Sequence, residues 1–386
     1  MKKNSLAPTI GIDAADLCSE RIDGTRIYIL NLLNRFGRIA SDNLFDIYLN
    51  GKLNPRLAFT EYPNYQKFTA KASLLWTQTR LPRMLQKTNP DVLWMPLHNL
   101  PFWRPKGMKS VVTIHDLAFK LFPRFFPAKD LFLLNRLTAY AVRSADKIIA
   151  VSRSTARDLQ EIYGVPPHKI KVIYHGYDEK LFHLPNEEEK REISHVKVKY
   201  KIPPNSRYLI YVGAIQPRKN LGMLVSAFER IKTLHTFKDW KLILAGSDAW
   251  LFEELKKQVK NSVWRKDIIF TGNFSIPDLP YLLWGAELFI FPSLYEGFGI
   301  PLLEAMACGL PILTAKNSSL VEVAGNNAIF FDPTKIDDLT TGIKELYANK
   351  TKREELFRGG LARVKNFSWD KTARETYQCL VETAIS

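Results

Sequence analysis

Short apolar runs, rich in β-branched and aromatic residues, alternate with longer stretches of helical period along nearly the whole chain. In the first half the runs are Thr9–Asp13, Phe45–Asn50, Val92–Pro96, Ser110–Asp116, Lys147–Ser152 and Lys171–His175. In the second half they are Tyr208–Gly213, Lys241–Gly246, Asp267–Gly272, Leu288–Ser293, Pro311–Ala315 and Ala328–Asp332. Strands alternating with helices predict parallel-sheet α/β architecture. Two sets of six predict two Rossmann-like, doubly wound domains, 1–180 and 207–366. The pattern breaks at Glu187–Glu192 and at Pro203–Ser206, so 181–206 reads as the connection, with a short helix inside it. A last helical pattern at 367–386, capped by Ser368, lines up Ala373, Tyr377, Leu380 and Val381 on one face.

Length and composition agree with this reading. At 386 residues the chain exceeds one ordinary core, and 46% hydrophobic with 24% charged residues excludes disorder. Cys18, Cys308 and Cys379 lack metal-ligand spacing and read as free thiols of a reducing compartment. The N-terminus shows no apolar stretch of signal-peptide length, and no run is long enough to span a bilayer. The expectation is a cytoplasmic protein.

The net charge of +16 is uneven, since residues 1–200 carry 31 Lys+Arg against 19 Asp+Glu. No nucleic-acid motif accompanies that charge, so no nucleic-acid partner is expected. An anionic membrane surface or a lipid-linked phosphate ranks higher.

The chemistry concentrates after the Leu288–Ser293 run, in Glu296-Gly-Phe-Gly-Ile-Pro-Leu-Leu-Glu304. One acid sits in a strand-to-helix turn and the other about one turn inside the helix. Gly297 and Gly299 leave backbone N–H groups uncovered beside a helix N-terminus, a natural anion site. Pro301 suits the first turn, where its missing N–H costs nothing. Two carboxylates around an anion cradle suit a ligand with both hydroxyls and phosphates, such as a sugar nucleotide. Arg218 and Lys219 follow the Tyr208–Gly213 run and are placed for a diphosphate. His115-Asp116 ends another strand, while Gly24-Thr25-Arg26 opens a helix after the first.

These motifs resemble the retaining family-4 glycosyltransferases, also called glycosyl transferase group 1. The resemblance rests on the ungapped Glu296–Glu304 run continuing into Ala305-Met306-Ala307-Cys308-Gly309, on Arg218-Lys219-Asn220 and on His115-Asp116. It implies the GT-B fold, two Rossmann-like domains facing each other across a cleft, with the final helix crossing back to the first domain. By resemblance, Arg218 and Lys219 grip the leaving diphosphate, His115 lies beside the transferred sugar, Glu296 takes a sugar hydroxyl and Glu304 the ribose. Gly297, Phe298, Gly299 and Ile300 belong to the same donor loop, and the base is expected against Gly272, Phe274 and Ile276. The chain departs from the family at Ala214, where relatives have Arg, and at Arg26, where they have a second Gly. By the same resemblance Gly24 is expected to lie beside the donor phosphate, and Arg26 to reach phosphate by charge instead.

The reaction implied is retaining transfer of a hexose, with GDP-mannose the favoured donor, to a glycan or lipid-linked hydroxyl in surface polysaccharide synthesis. No cofactor is expected and no metal, because Asp13-Ala-Ala-Asp16 has the wrong spacing for a metal site. The interleaved aromatic and basic segment Phe119–Pro127, with Phe119, Lys120 and Arg124, is the expected acceptor contact and suits peripheral association with the membrane's inner face. The basic apolar segment 74–87 reads as internal packing, with Pro82 interrupting any long helix. A nucleotide-sugar epimerase of the same architecture and a non-catalytic basic membrane-binding protein remain alternatives. A dehydrogenase is excluded, since no Gly-x-Gly-x-x-Gly follows either domain's first strand.

Overall fold

A computed structural model describes residues 7–72, 75–247 and 253–386. Two compact units emerge. One runs up to Gly176 and takes in Trp369–Ser386, and the other is Tyr177–Ser368.

The strands of the first unit are β1 (Ile10–Asp13), β2 (Phe45–Asn50), β3 (Tyr65–Ala70), β4 (Val92–Met95), β5 (Lys109–Ile114), β6 (Lys147–Ala150) and β7 (Ile170–Val172). They form one parallel sheet in the order β3-β2-β1-β4-β5-β6-β7. The second unit holds β8 (Tyr208–Val212), β9 (Lys241–Ala245), β10 (Ile268–Gly272), β11 (Leu288–Phe291), β12 (Ile312–Ala315) and β13 (Ile329–Phe331). Its sheet is also parallel, in the order β10-β9-β8-β11-β12-β13. The central strands are buried throughout, which is why they read as continuous apolar runs.

All twelve expected strands are present, most of them a residue or two shorter than expected. The thirteenth, β3, escapes the sequence pattern because it is an edge strand. Gln66, Lys67 and Thr69 are exposed on it, and such polar edges resist pairing with other chains.

Residues 181–206 fall inside the second unit. Their helix, Glu187–Lys199, opens with a capping box between Asn186 and Glu189. It is tied to the sheet side by Tyr200 and Lys199, both bonded to Asp278 at 2.6 Å. Pro82 is another difference, because the helix Trp76–Thr88 runs straight through it. Burial of Leu81, Pro82 and Leu85 on one face offsets the single backbone bond lost there. Leu74, at the start of that expected segment, lies outside the described residues.

The final helix, Trp369–Ile385, packs in the first unit and buries Trp369, Thr372, Ala373, Thr376, Cys379 and Leu380. Tyr377 and Val381 flank that face, with the Tyr377 hydroxyl 2.6 Å from Asn43 Oδ1. Asp370 holds Arg35 at 2.5 Å across the same contact. Among the described residues no helix is long and apolar enough to cross a membrane, and all three cysteines are free.

At the carboxyl end of β9 the chain passes so close to β8 that a Cβ on Gly246 would stand 1.9 Å from the Gly213 carbonyl oxygen. Only glycine fits there without moving backbone. Gly246→Ala should therefore cost the second unit about 2–3 kcal/mol. Urea unfolding followed by tryptophan fluorescence would read this, and an unchanged midpoint would refute the packing.

Candidate active site

In the second sheet the strand order reverses between β8 and β11. Crossovers leave neighbouring strands in opposite directions at such a point, which opens a crevice outside their carboxyl ends. The two loops that leave there carry the charges. β8 leads to the short 3-10 turn Pro217–Lys219, and β11 leads to Glu296. Lys219 Nζ stands 2.5 Å from Glu296 Oε1, and Arg218 Nη1 stands 3.2 Å from Oε2. Arg218 also donates to the Tyr295 carbonyl, and the Leu294 N–H donates to the Arg218 carbonyl at 2.9 Å. Burial pushes the Glu296 carboxyl up, but Lys219 and then Arg218 outweigh it and hold the group at about 2. It is ionised at any working pH.

A brace that sequence reasoning missed secures this loop. Ser318 Oγ accepts from the Glu296 N–H at 3.0 Å and donates to Asn317 Oδ1. Ser319 Oγ donates to the carbonyls of Glu296 and Phe298 at 2.9 and 2.8 Å. Ser318 adopts φ 42°, a left-handed conformation that a side chain rarely takes. The Asn317-Ser-Ser run after β12 was the available signal.

Gly297, Phe298 and Gly299 are buried, and Gly299 caps the helix Ile300–Ala307 with φ 103°. A Cβ at Gly299 would meet Leu320 at 3.0 Å. Phe298 turns inward and packs edge-on against Phe367 at 5.9 Å, so its ring belongs to the core and only its backbone faces the loop. Ile300 is half-buried at the start of the helix. Glu304 is half-buried inside the helix, and burial, with the charge of Asp178, pushes its carboxyl up to about 8.

Gly272 ends β10, the edge strand separated from β8 by β9, and Phe274 and Ile276 follow it. Gly272 has φ 64°, Phe274 is half-buried and Ile276 is exposed. The Ser275 N–H donates to the Tyr200 hydroxyl at 3.1 Å, which anchors this loop to the Glu187–Lys199 side of the unit.

In the first unit His115 follows β5. Its Nε2 lies 2.8 Å from the Pro96 carbonyl, so it carries the proton and Nδ1 is left as an acceptor. The His115 backbone N–H donates to His98 Nε2 at 3.0 Å, and the two rings stack 6.2 Å apart. Burial lowers both imidazoles, His98 to about 4, so both are neutral. His98 was not singled out from the sequence, although it lies in the loop after β4 beside His115. Asp116 accepts from the Ala118 N–H at 3.0 Å.

Several expected contacts stand differently. Arg26 is bonded 2.7 Å from both Asp16 and Asp23, which neutralise its charge locally. Gly24 begins the helix Gly24–Ile39, and a Cβ there would meet nothing within 4 Å, so no close approach inside the unit requires glycine. Phe119 is 2% exposed and joins the hydrophobic core, which removes its ring from any acceptor. Lys120 lies over the Tyr163 ring and Arg124 over Phe125, with Arg124 exposed.

Residues 192–360 match the family model described as glycosyl transferases group 1, and residues 41–181 match glycosyltransferase family 4. The chain is 29% identical to the O-antigen chain mannosyltransferase B of Escherichia coli over 72% of each chain. It is 29% identical to the serotype-specific mannosyltransferase WbdA of Escherichia coli over 72% of this chain, which spans only 33% of that longer protein. The solved structure of Anabaena HepE in complex with UDP and glucose covers 97% of this chain and 99% of its own, with a TM-score of 0.73 at 18% identity.

Glu304 offers a pH test of the site. Its folded pKa lies above the unfolded value, so the folded state binds the extra proton and stability falls as pH rises from about 4.5 to about 8. Glu304→Gln removes that loss. The variant should gain stability relative to wild type between pH 5 and 8 in thermal melts, and a constant difference would show the carboxyl to be unperturbed.

Proposed function

We propose that this chain, whose two halves match the group 1 and family 4 glycosyltransferase models and which has a GT-B fold, transfers a hexose from a nucleotide sugar to a hydroxyl with retention at the anomeric carbon. The carrying observation is the buried Arg218–Lys219–Glu296 cluster at the β8/β11 reversal. Bond breaking builds negative charge on a departing diphosphate. Two cations already fixed beside Glu296 meet that charge without reorganising, and one such donor is typically worth ~3–4 kcal/mol of barrier. Glu296 keeps the cations aimed and ionised, and presents its own oxygens to a sugar hydroxyl. In the first unit His115, neutral and with Nδ1 as an acceptor, is a group able to take a hydroxyl. Glu304 takes the ribose.

The relatives' names favour mannose as the sugar, in surface polysaccharide synthesis, and GDP-mannose is the donor proposed with it. Positive side chains stand where a metal ion would otherwise be needed, so turnover is proposed to need no divalent cation. No carboxylate is assigned as a nucleophile. The leaving phosphate guides attack on the same face of the sugar.

Membrane association is part of this reading, and its surface lies beyond the expected segment. Phe102 and Trp103 are 58% and 49% exposed, and Phe132 and Leu133 on the helix Ala128–Ser144 are 64% and 47% exposed. The Phe102 ring stands edge-on to Tyr140 at 4.6 Å, which makes the two segments one patch, with Arg136 over Phe132. Exposed aromatics among cations suit an anionic lipid surface.

Mass-spectrometric screening of nucleotide sugars should show GDP-mannose consumed, in buffer with chelator as well as without. Glu296→Ala should lower turnover at least a hundredfold while GDP affinity changes far less, on the order expected for losing transition-state stabilisation. Unchanged turnover would remove Glu296 from the mechanism, and strict dependence on a divalent ion would overturn the metal-free reading. Separately, the protein should sediment with phosphatidylglycerol vesicles at low salt, and Trp103→Ser with Phe132→Ser should abolish this. Failure of the wild type to sediment would point to a soluble acceptor.

A further inference from the structure

Three consecutive side chains after β12, Asn317, Ser318 and Ser319, grip the loop that follows β11. Asn317 Nδ2 donates to the Ser293 carbonyl at 2.9 Å, where that loop begins. Ser318 Oγ accepts from the Glu296 N–H at 3.0 Å and Arg218 donates to the Tyr295 carbonyl, so the peptide between Tyr295 and Glu296 is held on both sides. Ser319 acts differently. Its hydroxyl is fully buried and donates to two carbonyls of the loop, Glu296 at 2.9 Å and Phe298 at 2.8 Å.

A hydroxyl carries one proton, so the two oxygens share it and must both turn toward Ser319. Among the described residues every peptide bond is trans, and in a planar trans peptide the N–H points opposite to the C=O. With the Glu296 carbonyl turned to Ser319, the Gly297 N–H is turned away from it. The Phe298 carbonyl does the same to the Gly299 N–H. Two N–H groups of the loop therefore share one direction, set by one hydroxyl on the opposite side.

The helix that carries Ser319 supports the loop in a second way. Gly299 turns the chain into the helix Ile300–Ala307 at φ 103°, and Leu320, next to Ser319, stands 3.0 Å from where a Gly299 Cβ would be. Hydrogen bonding and close packing thus fix the same short stretch. Backbone N–H groups aligned side by side attract anions, and Arg218 and Lys219 bring positive charge to this loop.

We propose that Ser319 is a positioning residue for the donor's diphosphate: by keeping the carbonyls of Glu296 and Phe298 on one side, it presents the N–H groups of Gly297 and Gly299 to phosphate oxygens on the other. This rests on the glycosyltransferase reading above and adds to it a side chain that acts only through the backbone. Without the hydroxyl, two buried carbonyls lose their donor and each peptide turns toward another one, taking its N–H with it. Dipoles fixed in advance stabilise the charge that builds on a departing diphosphate, and loosened ones do so far less. The effect falls on the phosphates and on turnover, and the nucleoside is spared.

The test uses the full chain. Calorimetry with GDP and with UDP identifies the diphosphate that wild type binds, and saturation-transfer NMR follows the matching nucleoside, guanosine or uridine. Ser319→Ala should weaken the diphosphate about tenfold, the scale of one hydrogen bond to a charged group, with nucleoside affinity within about twofold of wild type. Turnover of the nucleotide sugar should fall further, about a hundredfold, because the interaction strengthens as the leaving group gains charge. Ser319→Cys, close in size and with only a weak S–H donor, should lie between alanine and wild type, and it decides the matter alone if the alanine variant does not fold. The proposal is overturned if the variant that folds binds the diphosphate as wild type does, or if it loses diphosphate and nucleoside in equal measure, which is the mark of a purely structural brace. A wild type that binds neither GDP nor UDP overturns the donor reading and this proposal together, whereas normal diphosphate binding by the variants overturns this proposal alone.

Discussion

Glu296 is a carboxylate 8% exposed, and such a group survives inside a protein only when opposite charge accompanies it. Lys219 and Arg218 meet that requirement from a loop some 77 residues away in sequence. The loops after β8 and β11 must converge for this to happen, and much of the local structure serves that convergence. Ser318 and Ser319 hold the acid loop from a third strand, and Gly299 lets the chain turn into its helix. Removing either cation would leave a buried charge short of a partner, a loss of several kcal/mol in comparable pairs. The cluster thus couples the integrity of the unit to the placement of its most reactive groups.

Both units apply one topological rule to different chemistry. A parallel sheet whose order reverses opens a crevice at the reversal, whatever side chains line it. At β8/β11 the lining is cationic with an ionised acid, which suits phosphate and sugar together. At β1/β4 it includes the Asp13 carboxylate, whose Oδ1 accepts from the Trp76 indole. His115, at the end of β5 beside β4, extends that polar edge with a neutral ring whose tautomer is set by the Pro96 carbonyl.

Much of this was legible in the residues, and the exceptions share a cause. The central strands were visible because they are buried on both faces and read as apolar runs; β3 was hidden because its exposed positions are polar. The Glu187–Lys199 helix looked like a linker because its exposed face is a charge run, while its capping box was present in Asn186 and Glu189. Phe119 and Phe298 fall inside motifs that suit ligand contact, yet both rings fill cores. Arg26 suits phosphate by its charge, but Asp16 and Asp23 already pair with it.

By itself, the sequence determined the two-unit parallel architecture, the strand-to-helix turn carrying Glu296 and Glu304, and the residues able to bear charge. These follow from periodicity and turn chemistry, which act over a few neighbouring residues. Tertiary structure alone decided which charges meet, which are already neutralised and which aromatic rings point inward. It raised the carboxyls of Glu304 and Asp13 by burial and lowered that of Glu296 by pairing. Desolvation and Coulomb attraction depend on distances between groups that the chain brings together only when it folds, so no local pattern records them.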